Sequence, residues 1–188
     1  TLFRSTPIAV ALGMAAMAAF MSIGKDVTTL VQIAYNAVNS FPVMALPAFI
    51  LSGALMQGYG IYRRLVAVAE ALAGRMAGGL GASTVLACLF FGAISGSGPA
   101  TTAAVGMLMI PAMARKGYDR SYASAVTASS GGLGIVIPPS IPMVIYGVTA
   151  SVSITQLFIA GVFPGLLIAS GIIILNYVIS KKKEIGRA

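Results

Sequence analysis

The charged residues of this chain stand between its apolar runs and not within them, and that placement constrains the fold more than any other feature. Charged side chains make up 9% of the 188 residues and hydrophobic ones 58%, where a soluble domain carries about a quarter charged residues. A surface so poor in charge has to be covered by lipid or by other protein. The four acidic residues, Asp26, Glu70, Asp119 and Glu184, fall in loops or at interfaces, and the basic residues cluster between apolar runs, as in cytoplasmic loops. The net charge of +8 comes with no basic stripe and no interleaved aromatics, so no nucleic-acid partner is expected. There is no His, and the lone Cys88 lies in an apolar run. Within the chain this excludes His-dependent triads, His metal ligands and disulfides. An all-α integral membrane protein is the fold class these facts imply.

Residues 1–5, Thr-Leu-Phe-Arg-Ser, resemble the translation of a sequencing-adapter stretch. They are expected to be non-native, both ends are expected to be cut, and no signal-peptide pattern is visible. Residues 7–23 form an Ala- and Met-rich run long enough to span, closed by Lys25-Asp26. Residues 27–39 are amphipathic and too short to span, so they are placed at the interface. A second span is expected over 41–57, ended by Gly58 and Gly60, which makes 6–60 a scaffold. In 61–75, Arg63, Arg64, Glu70 and Arg75 alternate with Leu, Val and Ala at helical spacing. This reads either as an arm helix in the membrane plane, 61–78, or as a cytoplasmic loop helix.

Two apolar stretches, 80–94 and 100–114, are joined by Ser95-Gly96-Ser97-Gly98-Pro99. Each arm reaches about 23 Å against a hydrocarbon core about 30 Å thick. Length favours a re-entrant hairpin over 79–114; a pair of short spans is the alternative. Within 119–150, Ser129-Ser130-Gly131-Gly132-Leu133-Gly134 and then Pro138-Pro139-Ser140-Ile141-Pro142 interrupt the apolar run. Three prolines in five residues cannot continue a hydrogen-bonded helix. A discontinuous transmembrane helix is therefore predicted, with a merely kinked helix as the alternative. A last span over 155–180 stops at Lys181-Lys182-Lys183, and 181–188 is expected to be a cytoplasmic loop. With those lysines inside, ten basic residues fall inside and only Lys25 outside, Arg4 being set aside. The hairpin then enters from the cytoplasmic side.

No carboxylate falls inside an apolar run, so no proton relay is offered. Irregular backbone does meet hydroxyls at 95–102 and 129–140, and small hard cations such as Na⁺ are held by carbonyl and hydroxyl oxygens. Broken helices at the midplane are where secondary transporters build such sites. Ser97 or Gly98 can cap a helix with Pro99 in its first turn, where free N–H groups and the helix dipole attract a carboxylate. Cation-coupled movement of an organic anion is the reading, although Gly- and Ser-rich breaks also occur in channels. No Lys follows in the phosphate-loop pattern and no nucleophile elbow is formed, so no enzyme is expected.

The strings Gly92-Ala93-Ile94-Ser95-Gly96-Ser97-Gly98-Pro99-Ala100-Thr101-Thr102, Ile110-Pro111-Ala112-Met113 and Gly117-Tyr118-Asp119 resemble the first hairpin region of the large membrane subunit of tripartite ATP-independent periplasmic (TRAP) transporters. Ile137-Pro138-Pro139-Ser140-Ile141-Pro142, Ile145-Tyr146-Gly147, Leu157-Phe158-Ile159-Ala160-Gly161 and Pro164-Gly165 are similar to the same family, as is the stretch Pro47 to Met56. The likeness covers nearly everything after residue 6, in order. It implies an elevator-type transporter of inverted repeats in the bacterial inner membrane, of which this chain supplies about the first repeat. It also implies a small membrane subunit and a periplasmic substrate-binding protein as partners. No cofactor is implied, with Na⁺ as coupling ion and carboxylates such as C4-dicarboxylates or sialic acid as substrates. Many relatives have Ala-Asp after the Ser-Gly-Ser, where this chain has Pro99-Ala100-Thr101-Thr102. Ser95, Gly96, Ser97, Gly131, Gly134, Pro138 and Ser140 are the expected Na⁺-site residues, mostly through backbone oxygens, with Thr101 and Thr102 on the substrate side. The alternatives are another two-hairpin transporter that works without a binding protein, and a membrane accessory component with no transport path.

Overall fold

A computed structural model describes residues 7–182 apart from Ser40 and Arg75. The expectations for residues 1–5 and 183–188, and for Arg75, lie outside the described residues. The described residues form helices and no strand, in two units, one through Met44 and one from Ala45.

In the first unit α1 (Ile8–Ser22) packs on α2 (Val27–Val38) across a turn where Gly24 takes φ +68°. Neither helix buries a residue. The 15 residues of α1 reach about 22 Å. The carboxylate of Asp26 caps α2, accepting from Thr28 N at 3.2 Å, and its hydrogen bonds to Thr28 hold its pKa below the usual carboxylate value.

From α3 (Phe41–Gly58) the chain turns through left-handed Gly60 into α4 (Ile61–Ala73). Val66, Ala69 and Ala73 recur at helical spacing on one face of α4 and are buried, while Arg63 and Arg64 are exposed. That face packs on α5 (Gly79–Ser95), where Ser83 Oγ also donates to Ala69 O at 3.2 Å. α5 is the axis of the second unit: α4, α6 (Gly98–Arg115), α7 (Arg120–Gly131), α8 (Leu133–Val136) and α10 (Ile154–Lys182) all pack on it. One apolar cluster joins it to α4 and α6 through Cys88, Phe91, Val105 and Met109; a second joins it to α7, α8 and α10 through Val85, Val126, Leu133 and Ala169.

α5 and α6 form an antiparallel hairpin turning at Gly96-Ser97. Ser95 meets Thr101 beside the turn, and Thr84 Oγ1 meets Met113 Sδ far from it. The arms contain 17 and 18 residues. Beside them runs the interrupted segment Arg120–Thr149, 30 residues long, and then α10, 29 residues long; both are long and apolar enough to cross a membrane. α9 (Ile141–Thr149) continues nine residues past the second interruption. Ile137 leaves α8 in an extended conformation, the Pro138–Pro139 peptide is cis, and Ser140 caps α9 with Pro142 in its first turn.

The first predicted interruption is slight, since Gly132 keeps helical angles, φ −58° and ψ −23°. The glycines around it serve close approach and do not redirect the chain: side chains at Gly131 and Gly134 would strike Thr102 and Thr101. α10 keeps helical form through Pro164 and into Lys182, past the predicted end. It buries a stripe of small residues, Gly161, Gly165 and Ala169, followed by Asn176 and Ser180. Gly161 and Gly165 lie against Met143, Val136 and Ile137, while Asn176 and Ser180 lie beside Gly78. α10 thus spans from the start of α5 to beyond the break.

Candidate functional site

The hairpin tip is seated in the break. The amide of Ile141, at the start of α9, donates to the Gly96 carbonyl at 3.1 Å. Gly96 ends α5 with φ +62°, a conformation that glycine adopts without a Cβ clash. Even a methyl group there would lie 2.8 Å from Pro139 O, and one on Gly92 would lie 2.6 Å from Gly134 Cα. Backbone therefore meets backbone, with glycine on both sides.

Eight of the nine expected residues are thereby gathered around this contact. Ser95 ends α5 buried, at 5% exposure. Ser97 caps α6, its hydroxyl accepting from Ala100 N, and its carbonyl accepts both Thr101 N at 3.0 Å and Thr101 Oγ1 at 2.7 Å. Thr102 Oγ1 donates to Gly98 O at 2.9 Å and faces Gly131. A methyl group on Gly134 would stand 3.0 Å from Ser97 O. Ser140 donates to Ile135 O at 2.6 Å and accepts from Met143 N at 3.4 Å. Pro138, the ninth, is half-buried within the break, and its neighbour Pro139 is the one whose carbonyl reaches the tip.

Thr101, expected on the substrate side, is fully buried, with its hydroxyl held between Ser95 and Ser97. Its position one residue before Thr102 turns it about 100° around the helix, from the rim to the interior. The expected row of free N–H groups is also largely engaged. Pro99 has none, Ala100 N goes to the Ser97 hydroxyl and Thr101 N to the Ser97 carbonyl. What remains to attract an anion is the Gly98 N–H, to which no acceptor among the described residues is bonded, together with the α6 dipole.

The hydroxyls are directional. A carbonyl only accepts, so Thr101 donates to Ser97 O, and Ser95 has one hydrogen for either Thr101 Oγ1 at 3.1 Å or Ser97 O at 3.4 Å. After Ser97 N approaches Ser95 Oγ at 3.4 Å, Ser95 and Thr101 each keep one lone pair, as does Ser140. The Ser97 carbonyl already accepts from Thr101 N and Thr101 Oγ1, with Ser95 Oγ a third donor at 3.4 Å. None of the nine residues is titratable, and no group of three His, Cys, Asp or Glu occurs among the described residues. The arrangement is a neutral oxygen cluster, suited to a small monovalent cation and not to acid–base chemistry. A cavity of about 420 Å³ opens beside it, lined by Gly53, Phe91, Ser95, Ser97, Ala100 and Ile141 among others.

Sequence reasoning missed Gly53, Gly92 and Asn176. Gly53 places α3 against Ser95, at 3.6 Å from a Cβ position to Ser95 Cβ. Asn176 carried a readable signal, a carboxamide in an apolar run.

A family model described as "Tripartite ATP-independent periplasmic transporter, DctM component" matches residues 1–188. The isethionate TRAP transporter permease protein DctMQ of Oleidesulfovibrio alaskensis is 45% identical over 178 residues, 94% of this chain and 28% of that protein. The C4-dicarboxylate TRAP transporter large permease protein DctM of Pseudomonas aeruginosa is 42% identical, over 80% of this chain and 35% of that protein. The sialic acid TRAP transporter permease protein SiaT of Haemophilus influenzae is 43% identical, over 80% of this chain and 24% of that protein. The chain thus spans well under half the length of these relatives.

Proposed function

Because the chain belongs to the DctM component family of tripartite ATP-independent periplasmic transporters, a family of membrane-embedded permeases, we propose that the whole protein is the membrane subunit of a Na⁺-coupled secondary transporter. It imports small organic acids across the bacterial inner membrane. The acid is delivered by a periplasmic binding protein, and a small membrane subunit completes the system. Relatives named for isethionate, C4-dicarboxylates and sialic acid support an anionic substrate.

The observation that carries this reading is the hairpin tip seated in the helix break with hydroxyl lone pairs left over. Ser95, Thr101 and Ser140 are the side-chain ligands we assign to Na⁺. Backbone oxygens from Gly96, Gly131, Gly134 and Pro138 complete the shell. Thr102, half-buried and facing Gly131, is the substrate-side candidate, and the α6 dipole adds an attraction for a carboxylate.

Lengths support a re-entrant hairpin. α5 reaches about 25 Å and ends beside the break, while α9 runs on for about 13 Å more. Arg115, Lys116, Arg120, Lys181 and Lys182 all lie at the end of the unit away from the tip. By the positive-inside rule that end is cytoplasmic. α4, with Arg63 and Arg64 exposed on its flank, is then the arm helix in the membrane plane.

The test is uptake into proteoliposomes by the complete subunit with its partners. Ser95→Ala and Thr101→Val are expected each to raise half-saturating Na⁺ about tenfold, the loss of one ligand being worth about 1.4 kcal/mol. Uptake that persists without the binding protein, or without Na⁺, would refute the reading.

A further inference from the structure

Away from the tip lies a polar joint that ion binding does not use. Asn176, on the last turns of α10, is 2% exposed. Its Nδ2 donates to Gly78 O at 2.9 Å, and its Oδ1 accepts from the Tyr122 hydroxyl at 2.7 Å. Gly78 is the left-handed cap that starts α5, and Tyr122 stands in the first turn of α7. The space is shaped for this amide: a methyl group on Gly81 would strike the Asn176 carboxamide. The Tyr122 ring stacks on Tyr118 with centroids 6.2 Å apart, which fixes the direction of its hydroxyl.

α5 and α7 are the helices whose other ends build the site. α5 ends at Ser95, α7 at Gly131, and α8, which contains Gly134, follows. Each helix is stiff along its axis, so sliding at the base is sliding at the tip. The tip cannot absorb a slide, because Gly92 and Gly134 meet backbone to backbone. One carboxamide bonded to both helices at the base therefore sets their register at the tip.

We propose that Asn176 is a positioning residue for the oxygen cluster, holding α5 and α7 in register from about 25 Å away. This rests on the assignment of the tip as the Na⁺ site. The joint acts through geometry and touches neither ion nor substrate.

The complete subunit, reconstituted with its partners, tests it with two readouts. The first is half-saturating Na⁺. Asn176→Leu, which removes both bonds at similar volume, is expected to raise it about tenfold with maximal uptake per folded protein within about twofold, and Tyr122→Phe, which removes one bond, about threefold. The second readout needs no ion: the maleimide labelling rate of a cysteine at Ala100, on the tip, in a Cys88→Ala background. The same changes at 176 and 122 are expected to alter that rate at least about threefold, the scale of one lost hydrogen bond. Should Asn176→Leu fail to fold, Tyr122→Phe carries both measurements. A loss of folded protein with half-saturating Na⁺ and labelling both unchanged would reduce the joint to a structural contact and overturn the proposal. If the unaltered transporter shows no Na⁺ dependence, the site assignment falls, and the labelling rate alone decides whether the joint sets the tip: changed supports the register role, unchanged overturns it.

Discussion

The two ends of the second unit are built on opposite plans. At the base, one carboxamide joins three helices: Asn176 of α10 donates to the Gly78 carbonyl at the start of α5 and accepts from the Tyr122 hydroxyl of α7, and beside it the buried Ser180 hydroxyl has no hydrogen bond among the described residues. At the tip, the chains meet backbone to backbone through glycines, and the nearby hydroxyls bond mostly within their own segments, leaving lone pairs over. Bonds that cross from helix to helix hold them together, whereas hydroxyls bonded within their own segments leave lone pairs between the segments for a ligand. The difference separates the part that fixes geometry from the part that uses it.

The largest test breaks the tip. Gly92→Ala puts a methyl group 2.6 Å from Gly134 Cα, and neither helix backbone can yield without opening the tip. Overpacking of about 1–3 kcal/mol is expected to lower uptake roughly a hundredfold, while the subunit still inserts into the membrane. Near-normal uptake by this variant would show that the tip tolerates separation. The base responds differently. Gly81→Ala pushes on the Asn176 amide, the far end of a side chain, which can swing away at the loss of two hydrogen bonds. A melt in detergent is expected to show destabilisation of about 1–3 kcal/mol, together with the rise in half-saturating Na⁺ expected of Asn176→Leu.

The sequence foretold local events well. Gly96-Ser97-Gly98-Pro99 marked the hairpin turn, and Pro138-Pro139-Ser140-Ile141-Pro142 marked the break, because glycine and proline act on the backbone where they stand. It told only part where glycine had a non-local purpose. Gly131 to Gly134 mark the division between α7 and α8, which is slight because Gly132 keeps helical angles, and Gly131 and Gly134 are also small because Thr102 and Thr101 press on them. The Asn176–Gly78 bond joins residues 98 positions apart, so no window of sequence contains it. The burial of Thr101 is hidden for a similar reason: which of two adjacent threonines faces inward depends on how α6 is rotated against α5, and both choices leave the same string.

Smaller effects refine the contrast within the break. Ser140→Ala removes the cap of α9 and leaves the Ile135 carbonyl without its 2.6 Å donor. A cost of about 1–2 kcal/mol should fall on the break alone. Hydrogen exchange of the peptide over 141–149 is expected to quicken about fivefold to thirtyfold, with that of 120–128 unchanged. Equal acceleration in both would mean that break and base open as one unit.

The smallest expected effect concerns glycines that share one helix. Gly165 and Gly171 both lie in α10, a helix with most of its surface outward. Gly165 is buried, and a methyl group there would strike Ile137 beside the break, whereas one on Gly171 meets nothing within 4 Å. Gly171→Ala should therefore gain up to about 1 kcal/mol from helix propensity and leave uptake and half-saturating Na⁺ as they were. Gly165→Ala should cost stability and uptake together. If Gly171→Ala impaired uptake without lowering the melting temperature, that outward face of α10 would have to meet a part of the transporter that moves, and the contrast between holding and using would then extend beyond the two ends of this unit.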